Sequence, residues 1–206
     1  MINFKRLFIK FCKKNNFEIN QSQLEISDLL DRFYNTNFNQ SLFSKILKPK
    51  NDKIGFYLTG DVGVGKTMIL NLFFDEIKEK KLRLHFNEFM INFHDFIFQN
   101  KNDENGLVSF VKNLKKKTDL LYFDEFQVTN IVDAMILGKL FQEIFSQNIK
   151  VIVTSNTKIS DLYKEGLQRD QFKPFIQIMQ EKSIEHELII EDDYRKNKDN
   201  QKQRYF

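Results

Sequence analysis

The stretch Gly60 to Thr67, which reads GDVGVGKT, constrains the fold of this chain more than any other feature. It follows the apolar run Gly55 to Thr59 and precedes residues with helical hydrophobic spacing, so it joins a strand to a helix. Glycine permits the backbone angles and the close approach that let several N–H groups converge on a phosphate chain. The pattern therefore predicts a P-loop, the nucleotide-binding turn of a parallel sheet.

Each part of the predicted P-loop has an expected task. We expect Lys66 to contact the β- and γ-phosphates and Thr67 to offer its hydroxyl to Mg²⁺, while the helix that begins there points its positive end at the phosphates. Four of the seven glycines of the chain lie between Gly55 and Gly65, which is atypical of an ordinary loop. The expected nucleotide contacts are Gly60, Asp61, Val62, Gly63, Val64, Gly65, Lys66, Thr67 and Met68.

A pair of acids follows a second buried strand. The run LLYFDEF, Leu120 to Phe126, places Asp124 and Glu125 where the chain leaves that strand. A P-loop protein needs one acid beside the Mg²⁺ shell, and a second carboxylate can accept a proton from the attacking water. We therefore predict that Asp124 is the metal-side carboxylate, with Thr67 as the other metal contact, and that Glu125 is the general base.

Two further polar residues follow the predicted strand Val151 to Thr154. The carboxyl ends of parallel strands open on one crevice, so Asn156 is expected to meet Lys66 and Glu125 there and to orient water or sense the γ-phosphate. Arg169, in GLQRDQF, is a candidate for stabilising charge on the γ-phosphoryl oxygens from a neighbouring subunit. Its spacing alone would leave it an ordinary surface arginine.

Short apolar runs alternate with amphipathic stretches along the chain. This alternation predicts an α/β fold of three α-β-α layers with a parallel sheet, preceded by a helical N-terminal segment. The predicted strands are Gly55 to Thr59, Arg83 to Phe86, Leu120 to Phe123, Val151 to Thr154 and Ile184 to Ile190. The predicted helices are an amphipathic first helix, Gln23 to Phe38, Lys66 to Lys80 and Asn130 to Gln147. A solvated turn is expected at Lys115 to Lys117, and structural roles are expected for His85, His94 and His186.

Length and charge limit the classes of partner. A chain of 206 residues suits one domain with short appendages, and no apolar run approaches the roughly 20 residues of a membrane-spanning helix. The net charge of +4 comes from both chain ends, which we interpret as solvated flanks without a specific nucleic-acid partner. A peripheral membrane contact stays open. The single cysteine, Cys12, fits a reducing compartment.

Several runs together resemble a known family. The runs FDEFQVTNIVDAMIL and GLQRDQFKPFI are distinctive, and they occur in order with GFYLTGDVGVGKTMILNLFF, LHFNEFM, VIVTSN and DYR. From about Asn20 to Arg195 the chain resembles the ZapE-type cell-division ATPases and their mitochondrial AFG-one-like relatives. The resemblance implies an AAA+ type P-loop fold, ATP and Mg²⁺ as cofactors, and a ring-like homo-oligomer. It also supports Asn156 as a sensor and Arg169 as an arginine finger.

The resemblance implies a biological role as well. Bacterial members act at the division site on the tubulin-like FtsZ polymer, and mitochondrial members serve inner-membrane protein quality control. We expect a Mg²⁺-dependent ATPase that remodels FtsZ or a membrane protein, in the bacterial cytoplasm or at the inner membrane, with the mitochondrial matrix as the alternative. The expected organisation is a helical segment and linker over 1–50, an ATPase core over 51–194 and a basic tail over 195–206.

Two departures from the family pattern keep a second hypothesis open. Asn87 stands where the family usually has a second histidine, and the chain ends at Phe206, where relatives continue through most of a helical lid. The alternative is a nucleotide-dependent binding module whose hydrolysis is weak or lost because the lid is missing. A DNA-associated loader is disfavoured because the central chain is not basic, and a GTPase because no N-K-x-D motif follows a strand.

Overall fold

The computed structural model describes residues 3–38 and 53–190. The linker expected around residues 47–53 lies almost wholly outside these ranges, and the basic tail expected over 195–206 lies outside them entirely. Within the two described ranges, no helix combines the length and the apolar character that crossing a bilayer requires.

Within residues 3–38, the chain forms two helices ahead of the sheet, α1 (Phe4–Lys14) and α2 (Gln21–Asn37). Each begins at an asparagine whose side chain accepts a hydrogen bond from a backbone N–H of the first turn, which satisfies a donor that the helix leaves free. The side chain of Asp31 in α2 accepts the Phe4 N–H at 2.7 Å and so holds the start of α1 against α2. The helical N-terminal segment predicted from sequence is therefore present.

A parallel five-stranded sheet forms the centre of the fold. Its strands are β1 (Gly55–Gly60), β2 (Lys81–His85), β3 (Leu120–Asp124), β4 (Lys150–Ser155) and β5 (Ser183–Leu188). The spatial order is β2-β3-β4-β1-β5, so β4 lies between β1 and β3. Every residue of β1, β3 and β4 is buried, because central parallel strands have helices on both faces. This order brings the carboxyl ends of these three strands side by side.

Helices cover both faces, as the three-layer prediction requires. Besides a 3₁₀ turn at Ile159–Asp161, the chain forms α3 (Lys66–Glu76), α4 (Phe86–Gln99), α5 (Gly106–Lys117), α6 (Ile131–Ser146) and α7 (Arg169–Lys182). One apolar core lies between the sheet and α1, α2 and α3, and the other lies between the sheet and the remaining helices. Phenylalanine is prominent in both cores, and the ring of Phe175 contacts those of Phe126 and Phe141. The prediction that most phenylalanines are core residues is confirmed.

The element boundaries differ from the predictions in several places. The second strand covers Lys81–His85, and the predicted end residue Phe86 instead begins α4. Helix α3 ends at Glu76, before the predicted Lys80, because Ile77 is extended. The turn predicted at Lys115 to Lys117 is wrong, since these lysines form the last turn of α5, where positive charge favours the helix dipole. Helices α4, α5 and α7 were not predicted.

Candidate nucleotide site

The glycine-rich turn leaves the end of β1 in a conformation that only glycine adopts easily. Gly60, Gly63 and Gly65 have φ angles of 148°, 91° and 93°. A Cβ atom at Gly60 would lie 2.4 Å from the carbonyl oxygen of Leu188, so a larger residue would displace β5 from the turn. Gly65 then precedes α3 directly, and the N-terminal end of that helix opens on the turn. The backbone geometry that the P-loop pattern predicted is therefore present.

Lys66 closes this turn on itself and joins it to β4. Its Nζ donates to the carbonyl oxygens of Gly60 and Asp61 at 2.7 Å each, and to Oδ1 of Asn156 at 2.9 Å. Burial lowers the pKa of the Lys66 ammonium, an effect that the nearby carboxylates of Asp61 and Asp124 oppose. The ammonium thus lies where the sequence places it, and Asn156 faces it across the crevice as predicted.

Thr67 and Asp124 meet on the other side of the turn. The Thr67 hydroxyl donates to Oδ1 of Asp124 at 3.0 Å, and Asp124 is only 5% exposed. Burial by itself would raise the pKa of this carboxyl, but hydrogen bonds from Thr154, Arg83 and Thr67 hold it below its ordinary value. Asp124 is therefore a carboxylate at neutral pH. A hydroxyl and a carboxylate oxygen are ligands that Mg²⁺ accepts, so this donor set fits the metal.

Glu125 follows Asp124 in a left-handed backbone conformation, with φ of 53°, and it is exposed. This conformation is costly for a residue other than glycine, so neighbouring contacts must maintain it. The Glu125 N–H donates to the hydroxyl oxygen of Thr154 at 3.0 Å, and the same hydroxyl donates to Oδ1 of Asp124 at 2.6 Å. Thr154 therefore fixes both acids, a role that the sequence analysis did not give it.

The described hydrogen bond of Arg169 goes to a residue outside the set of predicted site residues. Arg169 begins α7, directly after Gln168, whose φ is 53°. Its guanidinium donates to the carbonyl oxygen of Ser160 at 2.7 Å, and its buried Nε has no hydrogen-bond partner among the described residues. The structure forms two hydrogen-bonded pairs, Lys66 with Asn156 and Thr67 with Asp124, which meet at adjacent residues of the P-loop. Glu125 follows Asp124, and Arg169 begins α7.

Arg83 is a second residue that the sequence analysis missed. Its guanidinium forms an ion pair with Oδ2 of Asp124 and lies 5.1 Å from the centre of the Tyr122 ring. The register of β2 against β3 pairs His85 with Asp124, so Arg83 lies two residues earlier on the same face of the sheet. No local pattern marks this arginine, because its partner comes from a strand that is distant in sequence.

His94 also has a partner that its spacing did not predict. One ring nitrogen, Nε2, lies 2.7 Å from Oδ1 of Asp133, so the contact joins α4 to the first turn of α6. The pair connects two helices on the face opposite α3. This position agrees with the structural role expected for His94, although a paired carboxylate was not expected.

Known proteins share both the sequence pattern and the fold. Cell division protein ZapE of Escherichia coli strain K12 is 41% identical over 123 residues, which are 59% of this chain and 33% of that protein. Lactation elevated protein 1 homolog B of Danio rerio is 39% identical over 139 residues, 62% of this chain and 28% of that protein. The crystal structure of DnaI superposes with a TM-score of 0.56 at 17% identity, covering 85% of this chain and 89% of that one.

The extent of these matches determines what they establish. The likeness to DnaI concerns the fold alone, a P-loop NTPase fold of the AAA+ type. The chain spans about a third of the length of the curated relatives, 28% of one and 33% of the other. The family model of the AFG1-like ATPases matches residues 4–206, nearly the whole sequence. The chain therefore belongs to the AFG1-like ATPase family.

Proposed function

We propose that this chain binds ATP with Mg²⁺, hydrolyses it to ADP and phosphate, and uses the cycle to remodel a protein partner. The observation that carries the proposal is two hydrogen-bonded contacts side by side at the ends of β1, β3 and β4. Lys66 bonds Asn156 at 2.9 Å, and the next residue, Thr67, bonds Asp124 at 3.0 Å. A phosphate-binding lysine, a metal-type oxygen pair and a polar amide therefore share one crevice.

Binding would exchange contacts within the turn for contacts with the phosphates. Lys66 now satisfies its ammonium with two backbone carbonyls and Asn156, and a triphosphate offers it stronger, charged acceptors. The N–H groups of the loop and the start of α3 add positive potential at the same place. Thr67 and Asp124 would hold Mg²⁺. The bound metal ion would neutralise part of the negative charge of the phosphates.

Asp124 and Glu125 have different roles in the proposed hydrolysis. The lowered pKa of Asp124 makes it a weak proton acceptor, and both of its oxygens already accept hydrogen bonds from neighbouring side chains. Glu125 is exposed at the mouth of the site, next to Asp124, and it is free to act as the general base. Asn156, which faces Lys66, would orient the water or detect the γ-phosphate.

Completion of the site requires a second copy of the chain in this proposal. The described hydrogen bond of Arg169 goes to the carbonyl oxygen of Ser160 in the 3₁₀ turn and not to the residues around Lys66, so we assign its action to a neighbouring subunit. A ring-like homo-oligomer would supply the arginine from the neighbour, which couples hydrolysis to assembly. The likeness to ZapE, a cell division protein, supports a place in bacterial cell division, and FtsZ as the partner is the expectation from the sequence resemblance.

The decisive measurement is ATPase activity at rising protein concentration, together with binding of the fluorescent analogue mant-ATP. We expect activity per chain to rise with concentration, because assembly supplies the arginine. The Lys66→Ala variant should lose most mant-ATP affinity, on the order of 100-fold, because a charged hydrogen-bonding group is removed. The exposed Lys164→Ala serves as its control.

Two outcomes separate the proposal from its competitor. If mant-ATP binds in the presence of Mg²⁺ but no phosphate is released at any protein concentration, the chain is a nucleotide-dependent binding module. This second function remains a candidate because the described hydrogen bond of Arg169 goes to Ser160 and not to a residue of the crevice. If mant-ATP does not bind, both functions are wrong.

A further inference from the structure

The carboxylate that would face Mg²⁺ is already paired with a cation of the same chain. The guanidinium of Arg83 contacts Oδ2 of Asp124, while the hydroxyls of Thr67 and Thr154 donate to Oδ1. The Tyr122 hydroxyl lies 3.4 Å from that same Oδ1. Both oxygens of Asp124 therefore have donors before any metal arrives.

The cluster holds one more anion than cations in this state. Two cations, Lys66 and Arg83, lie with three anions, Asp61, Asp124 and Glu125, around the crevice. The Asp124 side chain is 7% exposed whereas that of Arg83 is 40% exposed. The buried carboxylate therefore depends on its partners for stabilisation, while the guanidinium retains access to water and can move outward at a smaller cost.

We propose that Arg83 makes entry of the divalent metal depend on the nucleotide. The guanidinium contacts Oδ2 of Asp124, the carboxylate oxygen to which neither Thr67 nor Thr154 donates. Its positive charge repels a bare divalent cation a few ångströms away. The phosphates of ATP bring negative charge that balances the guanidinium, so the penalty for the metal falls once the nucleotide is bound. Arg83 is thus a positioning residue for Asp124, and the inference rests on the proposed function of the site.

The alternative role for Arg83 is structural. Its Cζ lies 5.1 Å from the Tyr122 ring centre, so the side chain packs on β3 as well as pairing with Asp124. Packing alone would affect folding stability without changing metal affinity in the folded protein. Metal binding in the absence of nucleotide therefore separates the two roles.

The experiment titrates the nucleotide-free protein with Mn²⁺, used in place of Mg²⁺ because its free form is counted by electron paramagnetic resonance. The Arg83→Gln variant removes the charge, and Arg83→Met removes it while retaining an apolar stem for Tyr122. We expect each to bind Mn²⁺ about tenfold more tightly than the unaltered chain, because loss of the positive charge favours the cation while solvent screening of the exposed guanidinium limits the gain. Arg83→Lys keeps the charge and should bind Mn²⁺ as the unaltered chain does, within about threefold.

Lys81→Gln is the matched control, because it removes a positive charge two residues earlier on the same strand. The Lys81 ammonium contacts the carbonyl oxygen of Phe74 rather than Asp124. Its loss should leave Mn²⁺ affinity unchanged. Circular dichroism melting identifies which variants are folded, and two different neutral replacements of Arg83 keep the test available if one of them does not fold.

A second titration adds the non-hydrolysable analogue AMPPCP at saturating concentration. AMPPCP should increase the Mn²⁺ affinity of the unaltered chain by a larger factor than it increases that of Arg83→Gln. The ratio of the two factors should be about ten. Equal Mn²⁺ affinity of Arg83→Gln, Arg83→Met and the unaltered chain without nucleotide would overturn the inference. An equal gain in Lys81→Gln would overturn it as well. Failure of AMPPCP to bind contradicts the proposed function instead, and the nucleotide-free titration remains interpretable.

Discussion

Polar side chains in two regions of the molecule have different kinds of hydrogen-bond partner. One region is the crevice at the ends of β1, β3 and β4, and the other is the turn that begins α7. In the crevice, Lys66, Asp124 and Asn156 bond to partners on other strands or on the P-loop. On the turn, the described hydrogen bond of Arg169 goes to a backbone oxygen only nine residues away, that of Ser160. One chain thus brings together the candidate phosphate-binding and metal-binding side chains, whereas its candidate arginine finger is bonded to a different turn.

The largest expected effect comes from the arginine. Arg169→Ala should lower ATP turnover by about a thousandfold or more, because the guanidinium stabilises charge only in the transition state. Affinity for mant-ATP should stay within about threefold, since Arg169 is not bonded to the crevice. Turnover is measured by phosphate release, and Lys164→Ala on the same segment is the control. A large loss of nucleotide affinity in Arg169→Ala would mean that the arginine acts within its own chain.

A mixture of two inactive variants tests whether the arginine acts between chains. Arg169→Ala retains Glu125, and Glu125→Gln retains Arg169, so a mixed oligomer contains some interfaces with both groups. Part of the turnover should return on mixing, whereas each variant alone stays inactive. Turnover would not recover on mixing if each chain used its own arginine. The placement of Arg169 on a different turn would then have no role in catalysis between chains.

Glu125→Gln alone should reduce turnover by about 10² to 10⁴-fold, because the amide cannot accept the proton of the attacking water. Nucleotide binding and folding should be retained, since the Glu125 side chain is exposed. Mant-ATP titration and phosphate release on the same preparation measure both quantities. The exposed Glu88→Gln is the control, and unimpaired turnover in Glu125→Gln would exclude this residue as the base.

Thr154→Val tests how much the Thr154 hydroxyl contributes to the stability of the fold and to ATP turnover. The change keeps the side-chain shape but removes the hydroxyl that donates to Asp124 at 2.6 Å and accepts the Glu125 N–H at 3.0 Å. We expect a loss of about 1–3 kcal/mol in the free energy of unfolding and a clear fall in turnover, because both acids lose a fixed partner. Denaturant unfolding and phosphate release measure the two effects.

Thr118→Val is its matched control at the opposite end of β3. The Thr118 hydroxyl is also buried and bonds the Leu120 carbonyl oxygen at 2.7 Å. Its loss should lower stability by a similar amount and leave turnover unchanged. Equal effects of both substitutions on turnover would show that Thr154 acts through stability alone.

The parts of the site that the sequence predicts are those whose residues lie close together along the chain. The turn from Gly60 to Thr67 and the pair Asp124 and Glu125 each carry a local pattern, and the structure brings them together as expected. Arg83 and Thr154 reach Asp124 only because β3 lies between β2 and β4. Local spacing contains no information about that order, so neither contact could be predicted from it.

The unpredicted helices have a similar explanation. Helix α7 contains Pro174, a residue that usually interrupts a helix, and the apolar residues at the start of α4 continue the run of β2 without a break. Packing against the sheet determines where these elements begin. Arg169 was identified through its motif before any element could be assigned to it, and its place at the first residue of α7 depends on that packing.

The smallest expected effect concerns the proton on Lys66. Burial lowers the pKa of this ammonium in the free chain, and the phosphates of ATP favour its charged form, so binding raises the pKa. Between these two pKa values the free chain is deprotonated and the complex is protonated, which means that binding takes up about one proton at most. Uptake should grow with pH toward the ordinary lysine value of about 10.4.

Calorimetric titration with ATP over a series of pH values between neutrality and about 10.4, in buffers of different ionisation enthalpy, measures this uptake. Lys66→Arg is the comparison, because arginine does not titrate there. If the unaltered chain and Lys66→Arg show equal uptake, the proton belongs to another group. The contacts of Lys66 with Gly60, Asp61 and Asn156 would then suffice to keep it charged at all times, and the crevice would be prepared for phosphate without any change in protonation.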